Sequence, residues 1–222
     1  IVIGSTSFGK GTVQRVFPLE SFYSGDKSLL PFGSIKLTLQ KFYRINGGST
    51  QLKGVVPDIQ LPDMYDYLDI GERKDSNSLS WDQIAKADYK PLKPSVDFSM
   101  LIENSKQRIA NNDAFRLVKQ NAVRLKKQQD ENNYSLNAAK FQDQMKEAKE
   151  FSKKFEELDK NKKLLTVENA KVDLAIIKKN TSAVTKNEEW MKILRKDPYI
   201  AEATNVLNDW IRLSKGASTG AV

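Results

Sequence analysis

The sequence predicts an α+β protein in which an incomplete β-rich part is followed by a mostly α-helical extension. Runs rich in β-branched residues fill the chain up to residue 62, and apolar residues recur at three- and four-residue steps after residue 99. With 222 residues, 39% of them hydrophobic, the chain is long enough to bury real cores. We divide it into a β-rich part (1–66), a linker that packs on it (67–98), a helical part (99–215) and a flexible tail (216–222).

The opening loop, which places Lys10 between Gly9 and Gly11, follows the apolar run Ile1-Val2-Ile3. This run has the pattern of a buried strand. The two glycines permit backbone conformations closed to other residues and let a second segment approach closely. The pattern therefore predicts a loop that presents the lysine, although a solvated hairpin lysine is equally compatible with these residues.

Three further strands are expected. Residues 12–17 form a β-branched run, and residues 54–62 have the pattern of an edge strand interrupted by a proline. Between them, residues 34–43 alternate apolar and polar side chains, which predicts one buried and one wet face. The face expected to be buried carries Ile35, Leu37 and Leu39.

The later part is predicted to be helical. Apolar spacing indicates one helix around Phe115 to Leu125 and another around Phe141 to Phe155, with Ser135 as N-cap of the second. We expect these two to form a helical hairpin. Residues 172–177 fit a short strand or a helical turn, and Asp197-Pro198 predicts the start of a last helix. In the linker, Trp81 is expected to anchor a loop by packing.

The composition excludes several kinds of site. The chain has no Cys and no His, so it cannot build a Ser-His-Asp triad, a cysteine nucleophile or a His- or Cys-ligated zinc site. We expect neither metal nor cofactor. The formal charge of +8 belongs mainly to the helical part, because residues 1–66 carry seven Lys/Arg against five Asp/Glu. Opposite charges alternate there at helical spacing, which indicates a solvated surface and not a nucleic-acid groove.

The ends and hydropathy of the chain give one more expectation. There is no apolar run of membrane-spanning length, no initiator methionine and no signal peptide. Together with the strand-like first residues, this leads us to expect a part of a longer protein.

Two kinds of chemistry could use the lysine loop. Residues 4–10 fit the first seven positions of a P-loop, but the eighth is Gly11 instead of Ser or Thr, and a β-run follows instead of a helix. We therefore expect no bound nucleotide.

The second kind of chemistry is general-base catalysis. Free lysine has a pKa near 10.4, so a catalytic lysine has to be desolvated enough to lower it by about two to three units. Buried strands on either side of the loop would provide this, and Gln14 could orient the amine without adding a charge.

At these residues the chain resembles the C-terminal-processing, or tail-specific, serine peptidases. The segment STSFGKGTVQ (5–14) is similar to the family's lysine motif, and residues 41–59 resemble its next hairpin. Residues 79–84 and 197–199 resemble its helical C-terminal extension. The resemblance implies that Lys10 is the general base and Gln14 the orienting amide.

The resemblance also implies an activity and a location. The family hydrolyses proteins recognised by apolar C-terminal tails, in the bacterial periplasm, through an acyl-enzyme on a serine. That serine lies roughly two dozen residues before the lysine, and the peptide-binding PDZ domain also lies upstream. Because Ser5 and Ser7 fit turn positions, we expect this chain to be inactive alone; an adaptor protein is neither indicated nor excluded. The alternative is a non-enzymatic helical interaction module in which the lysine loop is only a hairpin.

Overall fold

A computed structural model describes residues 1–91, 96–131, 135–161 and 164–218. The chain forms two compact units, one of residues 5–57 and 69–92 and the other of residues 1–4, 58–68 and 93–222. These units cut across the domain boundaries predicted from sequence, which stay predictions.

The strands are β1 Ile3–Gly4, β2 Thr12–Pro18, β3 Ser34–Lys41 and β4 Ile59–Gln60. The helices are α1 Phe98–Ala110, α2 Asp113–Asp130, α3 Ala138–Asn161, α4 Lys171–Ile177, α5 Thr181–Leu194 and α6 Pro198–Ser218. The predicted α+β class with a helical extension is confirmed.

The unit of residues 5–57 and 69–92 is built on the antiparallel hairpin of β2 and β3. β2 runs from Thr12, paired with Lys41, to Pro18, paired with Ser34, with an irregularity between Val13 and Gln14. The expected burial of one β3 face is wrong. The side chains expected there are between 41% and 52% exposed, because two strands alone leave both faces of a sheet open. They are Ile35, Leu37 and Leu39.

The other unit contains the hydrophobic core. β1 pairs with β4 in parallel, with Ile3 opposite Ile59. The first strand is shorter than expected and its start is not buried, since Ile1 and Val2 are 42% and 45% exposed. The core joins β4 to helices α1, α2 and α6, and its fully buried members include Ile59, Leu61, Leu101, Phe115 and Val206.

Tyr199 closes this core from α6. Its ring packs edge-on against Phe115 with centroids 5.4 Å apart, and its hydroxyl donates to the Pro62 carbonyl at 2.8 Å. Burial raises the pKa of Tyr199 to about 12, with a further contribution from the charges of nearby aspartates.

The start of a helix is set by the side chain that caps it, as α6 and α3 show. The predicted Asp197-Pro198 start is confirmed, because the Asp197 carboxylate accepts hydrogen bonds from the backbone N–H groups of Tyr199 and Ile200. The ambiguous stretch 172–177 is helical, as α4. Ser135 does not cap α3. Asn137 does so instead, accepting from Ala139 and Lys140, so the helix begins two residues later than that cap would require. Residues 132–134, just before Ser135, lie outside the described residues, as do tail residues 219–222.

The expected helical hairpin is not a packed one. α2 buries Phe115 and Ala122 as predicted, but Phe141 and Met145 of α3 are 47% and 57% exposed. The two helices approach each other where the Arg124 guanidinium lies 5.1 Å from the centre of the Phe151 ring. The side chain of Phe155 lies outside the described residues. Among the helices described, none is both long and apolar enough to cross a membrane.

A buried ion cluster joins α1 to α6. Glu202 is 3% exposed and accepts from the Ser105 hydroxyl at 2.7 Å and from the Arg108 guanidinium at 2.8 Å. Arg108 also pairs with Asp209 at 2.6 Å. A carboxylate can occupy this core-facing position of α6 because its charge and hydrogen bonds are satisfied.

Candidate active site

The lysine loop is held by a second segment of the same unit, residues 49–55. The Leu52 N–H donates to the Gly9 carbonyl at 2.7 Å, and the Thr50 hydroxyl donates to the Lys10 carbonyl at 3.1 Å. Further along, the Ser7 N–H donates to Val55 at 3.1 Å, and the Val55 N–H returns a bond to the Ser7 hydroxyl oxygen at 2.8 Å. The backbone on either side of Lys10 is thus fixed.

The glycines flanking Lys10 permit this close approach. A Cβ on Gly11 would lie 2.5 Å from the Gln51 nitrogen and 2.6 Å from the Ser49 hydroxyl oxygen. Gly9 has a φ of +89°, and a Cβ there would lie 3.1 Å from the Leu52 carbonyl. Leu52 itself has a φ of +61°, which is unusual for a branched residue and costs backbone energy. The Gly-Lys-Gly pattern is therefore required by packing against residues 49–55, as the sequence suggested.

The Lys10 amine is held by two oxygens. Its Nζ donates to the Thr12 hydroxyl at 3.0 Å and forms an ion pair with Glu72 Oε1 at 3.5 Å. The Lys10 side chain is 38% exposed and that of Glu72 is 12% exposed. The desolvated, uncharged surroundings expected for a lysine base are absent from this part of the described structure, because a carboxylate faces the amine and neither hairpin strand is covered.

Gln51 and Glu72 are the two residues of this site that sequence reasoning missed. Gln51 is fully buried, and both ends of its amide are used: Oε1 accepts from the Gly11 N–H at 2.8 Å, and Nε2 donates to Glu72 Oε1 at 3.1 Å. The Glu72 N–H donates to the Phe8 carbonyl at 3.0 Å. Glu72 lies in the predicted linker, and no local pattern marks either residue as part of a site.

Gln14 lies on β2 at the hairpin irregularity, where its amide donates to the Thr38 hydroxyl at 3.1 Å across the strands. The hydrogen bonds among the described residues thus join Gln14 to β3 and leave it without a direct bond to Lys10. Its orienting role stays a prediction.

Trp81 anchors its loop as expected. Its indole N–H donates to the Ser49 carbonyl at 2.8 Å, and the Lys53 amine lies 3.2 Å from the centre of the ring. One residue on, Asp82 pairs with Lys41 at 2.9 Å, and the hydrogen bond from Lys41 lowers the pKa of the Asp82 carboxyl. Segment 80–82 therefore braces the 49–53 segment that holds the lysine loop.

The loop opens into β2 and not into a helix, so it lacks the helix N-terminus that a P-loop directs at phosphates. Within residues 1–91, 96–131, 135–161 and 164–218, no group of His, Cys, Asp and Glu is arranged to hold a metal ion. The chemistry that this site can offer is that of an amine on a rigid loop beside a hydroxyl and a carboxylate.

Comparison with known proteins identifies the family. Residues 65–212 match the family described as "C-terminal domain of tail specific protease". The chain belongs to the tail-specific protease family. Residues 1–61, which carry the lysine loop, match "Peptidase family S41", so the site falls in the peptidase part of the tail-specific protease sequence and Glu72 in its C-terminal domain.

Two relatives share part of the chain. The Tail-specific protease of Haemophilus influenzae is 52% identical over 89 residues, which are 40% of this chain and 12% of that protein. The Carboxy-terminal processing protease CtpB of Bacillus subtilis is 44% identical over 66 residues, 29% of this chain and 12% of the relative. The matched part thus spans about an eighth of each curated relative.

Proposed function

We propose that this chain is the part of a serine endopeptidase that supplies the general base, and that the intact enzyme cleaves proteins recognised by apolar C-terminal tails. The observation that carries the proposal is the position of Lys10. It lies in the region that matches Peptidase family S41, on a loop whose two glycines are required by packing. A rigid loop of this kind is what a general base needs, because proton transfer depends on placement to within hydrogen-bond distance.

In this proposal Lys10 takes the proton from a serine hydroxyl as that oxygen attacks the scissile carbonyl, and it returns the proton to the leaving amine. The nucleophile is a serine outside these 222 residues. Ser7 does not serve, since its hydroxyl oxygen is engaged by the Val55 N–H. Gln14 orients the amine after its amide leaves Thr38. We further propose that the chain by itself is inactive and that the intact enzyme works in the bacterial periplasm.

The test is Lys10→Ala in the intact enzyme, assayed with a peptide that has an apolar C-terminus. Loss of general-base catalysis is expected to lower kcat by about a thousandfold. Lys36→Ala is the matched control, because Lys36 is an exposed lysine on β3 and should leave kcat unchanged. Turnover that survives in Lys10→Ala would contradict the base assignment and favour the interaction-module alternative.

Inactivity of the chain alone has its own measurement. The 222-residue chain should neither cleave the peptide nor react with a fluorophosphonate probe for nucleophilic serines, whereas the intact enzyme should do both. Probe labelling of a serine within this chain would overturn the assignment of the nucleophile.

A further inference from the structure

Glu72 meets the lysine loop through a single carboxylate oxygen. Oε1 faces the Lys10 amine at 3.5 Å and accepts from the Gln51 amide at 3.1 Å, while the Glu72 backbone is tied to Phe8. At 12% exposure this carboxylate differs from the surface ion pairs of the helices, such as Lys126 with Asp130, whose acid is 58% exposed. Glu72 is therefore a fixed group, already oriented towards the amine.

A fixed carboxylate at this distance would hinder Lys10 from acting as a general base. A base has to be free to approach the proton that it removes, whereas a lysine side chain that faces a carboxylate is attracted to it and kept in place. The Lys10 amine donates to both Thr12 and Glu72, and these two contacts hold it in this arrangement. With 38% of its side chain exposed, Lys10 has open space into which it can swing away.

We propose that Glu72 is a positioning residue that holds the Lys10 amine in a resting position, and that hydrolysis requires the amine to leave this carboxylate. The proposal rests on the proposed role of Lys10 as general base. Gln51 holds the resting state in place, since its buried amide bonds Glu72 on one side and the Gly11 N–H on the other. Because Glu72 lies within the match to the C-terminal domain and Lys10 within the peptidase match, the ion pair gives the C-terminal domain a direct means of restraining the base.

Glu72→Gln isolates the charge. A glutamine has the same shape and keeps an Oε1 that can accept from both Lys10 and Gln51, so only the negative charge is lost. At 3.5 Å the attraction of two unit charges is worth about a sevenfold change in equilibrium even in bulk water, and exposure reduces this to about fivefold. We expect kcat/KM of the intact enzyme near neutral pH to rise about fivefold in Glu72→Gln.

Two variants serve as controls. Asp130→Asn removes a carboxylate on α2 that also pairs with a lysine, Lys126, and should leave turnover unchanged. Glu72→Asp keeps the negative charge but places it one methylene further from the amine, so its rate should rise less than that of Glu72→Gln. An increase in Glu72→Gln alone is an effect that loosened packing does not produce, since a destabilised site loses activity.

A second measurement does not depend on turnover. Acetic anhydride acetylates neutral amines. The amine nitrogen attacks one carbonyl carbon of the anhydride, acetate leaves, and the nitrogen loses a proton to solvent. On the 222-residue chain, the rate of Lys10 acetylation relative to Lys36, followed by mass spectrometry, should rise about fivefold in Glu72→Gln and not in Asp130→Asn.

The outcomes separate the two proposals. Acetylation of Lys10 that is unchanged or slower in Glu72→Gln overturns the resting-state role. Faster acetylation with slower turnover overturns it as well, because it would assign Glu72 to productive alignment. If Lys10→Ala retains turnover, the base assignment fails, while faster acetylation in Glu72→Gln would still establish the restraint on the amine.

Discussion

Replacing Gly11 with alanine tests how tightly the lysine loop is packed. Neither the backbone of Gly11 nor that of Gly48 has a positive φ, so an added methyl group acts through contact alone at both positions. At Gly11 the new Cβ would lie 2.5 Å from the Gln51 nitrogen, about 0.9 Å closer than carbon and nitrogen normally approach. Two of the three nearest atoms belong to the Gln51 backbone, which cannot rotate aside.

The cost follows from the hydrogen bonds that a shift of this size would break. Gly11 donates to Gln51 at 2.8 Å and accepts from the Phe42 N–H at 3.0 Å. Loss of the Phe42 bond costs about 1 kcal/mol net, and the buried Gln51 amide left without its Gly11 partner costs about 1–3 kcal/mol. Gly11→Ala should therefore lower the free energy of opening this region by about 2–4 kcal/mol.

Amide hydrogen exchange by mass spectrometry measures this directly on peptides covering residues 7–14 and 49–55. Under conditions where exchange reports the opening equilibrium, protection should fall by roughly 30- to 1,000-fold. Gly48→Ala is the matched control, because its Cβ would meet Asn46 and Trp81 at 3.4 and 3.8 Å, which are ordinary contacts. Equal protection in the two variants would refute the close packing of the loop.

Two further predictions concern the helical unit. Arg108→Ala leaves the buried Glu202 carboxylate without its arginine and should lower the free energy of unfolding by about 3 kcal/mol or more, measured by urea unfolding followed by circular dichroism. Adding Glu202→Gln should restore part of that free energy. A double variant no more stable than Arg108→Ala alone would contradict the ion-cluster argument. The folded-state pKa of Tyr199, about 12, lies above the ordinary value near 10, so the unfolded chain loses this proton first and stability should fall as pH rises through that window. At about pH 9, where the hydrogen bond to Pro62 is intact, the urea midpoint of the wild type should exceed that of Tyr199→Phe. The difference between the two midpoints should narrow towards pH 12, and a constant difference would contradict the raised pKa.

Several elements were predictable because their signals are local. The strand that ends at Pro18, the cap at Asp197 and the buried stripe of α2 each depend on residues within a few positions of one another. The Gly-Lys-Gly pattern indicated a close approach by another segment, although not which segment. The assignment to the tail-specific peptidases was also readable from residues 5–14.

The errors share a different cause. Alternation in β3 signals that one face suits burial, but burial depends on a neighbour that the hairpin itself does not supply. On α6, the apolar residues Ile200, Leu207 and Ile211 are between 38% and 58% exposed, while Glu202 faces the core. A hydrophobic pattern cannot anticipate a buried carboxylate, since what makes it stable is an arginine on another helix.

The sequence by itself determined that this protein is α+β with a helical extension, and that its lysine stands on a loop built for close contact. Glycine freedom, proline breaks and caps are properties of neighbouring residues, so they can be read without coordinates. Only the tertiary structure decided what surrounds the amine. Glu72 is 62 positions from Lys10, and Gln51 is 40 from Gly11, so chain folding alone brings the carboxylate and the buried amide to the loop. No periodicity encodes a hydrogen bond across such separations. The sequence therefore indicates the lysine, and only the structure shows the carboxylate that faces its amine.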